Sequence, residues 1–135
     1  MAVARRKNSL FQERLTFSVS NASTAASTAE KFWTVPTGRS LRLDGAWYNN
    51  PTGLAADANN YFTITVKKGS TVMATWSTQT TGNGALVADT PVTLVLSATD
   101  SDTVAAAGDV ISVSFAKSGT QTLPAGRLTM NFRLV

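Results

Sequence analysis

The chain has 135 residues, no cysteine and no histidine, and carries 12 basic against 8 acidic side chains for a net charge of +4. That length suits one domain with room for a sizeable core. Without Cys or His the design excludes disulfides, zinc held by thiolate or imidazole, and the commonest general base.

The basic charge is concentrated at the start. Arg5, Arg6, Lys7 and Arg14 stand against a lone Glu13 in the first fourteen residues, so the remainder is close to neutral. Residues 1–10 show no strand alternation and read as an arm. Ordering them costs on the order of 10–20 kcal/mol of backbone entropy. Burial of Val3 and Leu10 returns only about 3–6 kcal/mol. The arm is therefore predicted to need a partner surface, and fully extended it reaches roughly 33–36 Å. Its charges are followed by no apolar stretch of the kind a secretory leader needs, and no run approaches the roughly 20 apolar residues of a membrane-crossing helix. The expectation is a soluble protein that is not classically exported, with no membrane partner. The Asn21-Ala22-Ser23 sequon carries little weight in that setting.

From Leu15 onward the apolar residues alternate, as in strands with one buried face. Leu15–Val19 alternates first. Asn21–Ala29, rich in Ala, Ser and Thr, reads as a loop. Phe32–Val35 ends at Pro36 and is predicted to be an edge strand. Leu41–Trp47 follows. Phe62–Val66 and Val72–Trp76 flank Lys67-Lys68-Gly69-Ser70 as a hairpin. Val92–Leu96, Ile111–Phe115 and Leu128–Leu134 complete about eight strands, the number of a jelly roll. Turn residues punctuate them at Asn49–Gly53, Gly82–Gly84 and Leu123–Gly126. No crossover helices separate the runs, so the predicted fold is all-β: an antiparallel, jelly-roll-like β-sandwich over residues 15–135, preceded by the basic arm of residues 1–14.

Candidate chemistry is sparse. Asp100, Asp102 and Asp109 are the densest carboxylates, but turns and a strand start account for them more simply than calcium binding or a glycosidase pair. Of the aromatic residues Trp33, Trp47, Tyr48, Tyr61 and Trp76, the alternation puts Trp47 and Trp76 in phase with the core. Trp33 and Tyr48 are left as the expected exposed aromatic surface, where a carbohydrate-binding or fibre-type module would show its platform. The three charges of Arg5-Arg6-Lys7 are few beside the roughly 6–10 phosphate contacts of a committed DNA binder, which makes nucleic acid an unlikely partner.

Residues 92–132 resemble the tailed-phage capsid decoration, or cement, proteins and related virion structural β-sandwiches. The resemblance rests on Leu94–Thr99, on Val104–Val110 with its Ala run and Gly108-Asp109, on Gly119, and on Pro124-Ala125-Gly126. It implies a non-enzymatic protein without cofactor or metal, lying on the outside of an icosahedral head. It would bind the major capsid protein and assemble with itself as a trimer or dimer at a symmetry axis. On that reading the capsid contacts expected are Arg5, Arg6, Lys7, Phe11 and Arg14, following the aromatic-plus-arginine habit of interface hot spots.

Overall fold

The computed structural model describes residues 14–21, 30–121 and 125–135. The predicted loop over residues 22–29 and the turn residues Leu123 and Pro124 lie outside them. Ten strands are described: β1 (Arg14–Asn21), β2 (Glu30–Thr34), β3 (Ser40–Asn49), β4 (Phe62–Lys68), β5 (Thr71–Ser77), β6 (Val92–Thr93), β7 (Val95–Leu96), β8 (Val104–Ala106), β9 (Val110–Lys117) and β10 (Gly126–Leu134). They form two five-stranded sheets. The first runs β1-β10-β3-β6, with β8 also paired to β3; the second runs β2-β9-β4-β5-β7. Every pairing between these strands is antiparallel.

Seven of the eight predicted runs each fall on one strand, and Phe32–Val35 lies at a sheet edge as expected; β8 was not among the runs. The chain alternates between sheets from β1 to β4, so that β10 inserts between β1 and β3 while β9 inserts between β2 and β4. That interleaving is the Greek-key order of a jelly roll. The run Val92–Leu96 is not one strand. Its first half pairs with β3 and its second half with β5. Between them lies Leu94, 1% exposed, whose N–H donates to the Ala46 carbonyl at 2.9 Å. Five residues thus tie the two sheets together.

The core fills the space between the sheets. Leu41, Leu43, Ala46, Tyr48, Leu128, Met130 and Phe132 come from one side, and Phe62, Ile64, Val66, Met73, Ile111, Val113 and Phe115 from the other. Burying a side chain of this size stabilises the fold by about 1.5–3 kcal/mol. In β4 and β10 the buried positions fall on every second residue, as the pleat requires. The β4–β5 hairpin turns on Gly69-Ser70, with Gly69 at φ 56° where a two-residue turn needs a residue tolerant of positive φ.

In β3 the alternation breaks. Opposite β10, Leu43 pairs with Phe132 and Gly45 with Asn131, so Asp44 is an extra residue with no counterpart. Such a bulge reverses the phase of everything after it. Leu41 and Leu43 point inward before it; Ala46 and Tyr48 point inward after it. β5 carries a similar irregularity around Met73, where Met73 and Ala74 are both buried.

Candidate functional site

The bulge corrects the sequence reading of two aromatics. Tyr48, expected on the surface, is fully buried with its ring 5.6 Å from that of Phe62 and 6.0 Å from that of Phe115. Trp47, expected in the core, is turned to the outer face of its sheet and is partly exposed. Its six-membered ring folds back over Gly45: a Cβ there would lie 2.6 Å from Cη2 and 2.8 Å from Cζ2. Glycine at that position lets the indole lie against the strand itself.

Around Trp47 the surface forms an open groove of about 630 Å³, lined by Asn49, Pro51, Asp89, Pro91, Arg127 and Thr129 among others. Its walls come from three separate stretches of chain, and buried Asn50 holds them in place. The Asn50 carboxamide oxygen accepts the N–H groups of Thr52 (2.8 Å) and Gly53 (2.6 Å), and Nδ2 donates to the Ala125 carbonyl at 2.7 Å. The Asn50 carbonyl accepts the Asp89 N–H at 2.8 Å. One buried, hydrogen-bonded side chain therefore fixes the loop after β3 against the start of β10, while its main chain fixes the loop before β6. The sequence signalled the turn through Asn49-Asn50-Pro51, but not which strands it would join.

The outer face of this sheet divides in two. Toward one end its polar side chains are paired with each other: Thr16 donates to Asn131 (2.9 Å), Arg133 to Asp44 (3.1 Å) and Arg42 to Asp100 (2.6 Å). Around Trp47 the side chains of Asn49, Asp89 and Arg127 have no hydrogen-bond or ionic partner among the described residues. The groove thus offers an aromatic face, an amide, one carboxylate and one guanidinium.

Trp33 is half-buried rather than a free platform. Its ring lies 5.1 Å from that of Phe17, and it packs against the core. With Leu15, Pro36, Arg39, Leu41 and Leu134 it lines a smaller apolar cleft of about 260 Å³. Trp76 packs against the core as predicted, and its indole N–H is buried without a hydrogen-bond partner among the described residues. Tyr61 is partly buried at the start of β4.

The three aspartates have structural work. Asp100 pairs with Arg42, Asp102 accepts from the Ser97 hydroxyl at 2.7 Å, and Asp109 accepts the Ala106 N–H at 2.9 Å. The Asp57 carboxylate has a lowered pKa. The N–H of Asn60 (2.7 Å), then that of Asn59 (2.8 Å), holds its ionised form and lowers the value. Among the described residues no cluster of three or more acidic, His or Cys side chains gathers where it could hold a metal ion. Arg5, Arg6, Lys7 and Phe11 lie outside the described residues. Arg14 opens β1, its backbone opposite Arg133.

The chain matches no protein-family model and no curated protein. Among solved structures it is similar to a chain of the Cyanophage Pam1 capsid asymmetric unit, with TM-score 0.51 and 14% identity over 91% of this chain and 84% of that one. A looser similarity, TM-score 0.43 at 15% identity, covers 93% of this chain and 90% of a chain from Bacillus endospore appendages, a family of disulfide-linked pili. At these identities the capsid likeness establishes a shared fold.

Proposed function

We propose that this chain is a structural protein of a virion, a decoration protein that binds the outside of the capsid and stabilises contacts between major capsid subunits. The observation that carries this reading is the fold likeness to a phage capsid chain along nearly the whole length. The resemblance of residues 92–132 to phage decoration proteins is consistent with it. The pieces behind that resemblance do architectural work here. Leu94 crosses between the sheets, and Gly108 turns at φ 87° between β8 and β9.

In this reading the protein runs no reaction and its work is mechanical. Copies associate with one another on the shell, and the basic arm supplies attachment. Arg5, Arg6, Lys7 and Arg14 meet acidic capsid surface, while Phe11 supplies an apolar anchor. Each arm binds weakly, but an oligomer that engages several subunits gains effective concentration without any new type of contact.

The test is a sedimentation assay with heads that lack the protein, comparing the full chain with a variant lacking residues 1–13. The truncated protein should keep its thermal unfolding midpoint and lose head binding. Undiminished binding by the truncated protein refutes the arm's role, and failure of the full chain to bind any head refutes the decoration reading.

A further inference from the structure

We infer that the Trp47 groove is a binding site for an uncharged pyranose sugar of a glycan, with the indole as the stacking platform. Three independent features converge on that ring. The Asp44 bulge turns it out of the core, Gly45 lets it lie against the strand, and buried Asn50 fixes the walls beside it. The indole is partly buried against its own strand and lines the groove beside three side chains able to hydrogen-bond, so an entering molecule meets aromatic and polar surface together. The part of the indole that lines the groove is an apolar aromatic surface, which the C–H face of a pyranose complements.

The groove's polar fringe selects the class of ligand. Asn49, Asp89 and Arg127 are unpartnered among the described residues, whereas polar side chains elsewhere on the same face satisfy one another. An amide, a carboxylate and a guanidinium are planar groups that exchange paired hydrogen bonds with adjacent hydroxyls. The Asp89 and Arg127 charges cancel, so the groove favours an uncharged sugar over a uronate or a phosphate. Its open shape admits an internal residue of a chain as readily as an end. The inference is separate from the decoration reading, because it involves neither the arm nor a capsid subunit.

The test follows the three indole N–H resonances of the full-length protein by NMR while cellohexaose, maltohexaose, chitohexaose and hexagalacturonate are added in turn. At least one neutral hexasaccharide should shift the Trp47 signal and leave those of Trp33 and Trp76 in place. Trp47→Ala should weaken that binding by roughly tenfold or more, and Arg127→Ala, at an exposed position, by about threefold or more, with the unfolding midpoint of each variant near that of the parent. The inference is overturned if no neutral sugar moves the Trp47 signal or if hexagalacturonate binds more tightly than every neutral one. It is equally overturned if Trp47→Ala abolishes attachment to capsids while every sugar leaves the groove untouched, which would make the groove a protein contact.

Discussion

The Tyr48 ring sits between Phe62 and Phe115 inside the sandwich, so truncating it opens a cavity that the surrounding strands cannot close. Tyr48→Ala is expected to cost about 3–5 kcal/mol in a urea melt. Trp47→Ala, one position earlier, removes a ring from the outer face and should cost about 1 kcal/mol or less. If the two costs come out reversed, the phase assigned to this part of β3 is wrong. The carboxylates behave as turn chemistry suggests. Asp109 closes the tight turn into β9, and Asp100 and Asp102 sit in the 3-10 turn before β8. Their turn positions were readable from sequence, and Asp109 makes the short-range backbone bond that Asp in a turn favours; the Arg42 partner of Asp100, 58 residues away, was not readable. The ring order of Trp47 and Tyr48 was not, because it depends on a register set by another strand.

At the level of elements, alternation located all the strands but the three-residue β8, which is too short to show a period of two. It failed where the period is interrupted. One signal for the break in β3 was present: Asp44-Gly45 interrupts a run of Leu, Ala and aromatic residues, and an isolated glycine within a strand pattern marks a bulge or a close approach. In β3 it marks both. Deleting Asp44 would force the strand into even register and expose either Leu41 and Leu43 or Ala46 and Tyr48. Loss of the two leucines alone removes about 3–6 kcal/mol, a large part of the roughly 5–15 kcal/mol that holds a typical domain together. The deletion should abolish cooperative thermal unfolding by circular dichroism. Asp44→Ala keeps the bulge and loses only a partly buried pair with Arg133, and should cost about 1–2 kcal/mol. The split of Val92–Leu96 left no trace in the alternation, because Thr93 and Val95 are exposed on either side of buried Leu94, as they would be in a single strand.

Across the whole molecule, the two sheets share one core and are stitched together by the crossing at Leu94. Leu94→Ala should therefore weaken both sheets at once, by about 2–5 kcal/mol. Indole signals from Trp47 on one sheet and Trp76 on the other should still report a single coincident transition; two separate midpoints would show that the sheets unfold independently. The sandwich was legible as a whole because about eight alternating runs with short turns leave few other solutions. The groove beside Trp47 was not, because its walls meet only after distant stretches are brought together.

The position of β10 between β1 and β3 has a consequence for how the molecule is made. Arg14 lies opposite Arg133, so the first described strand finds its neighbour only when the last one arrives. During synthesis β1 and β3 wait with open backbone edges while residues 126–134 leave the ribosome, and contacts of such sequence separation form on the slow, millisecond-to-second end of the folding scale. The interval before that final insertion is when a newborn chain is most prone to pair with its siblings instead of with itself.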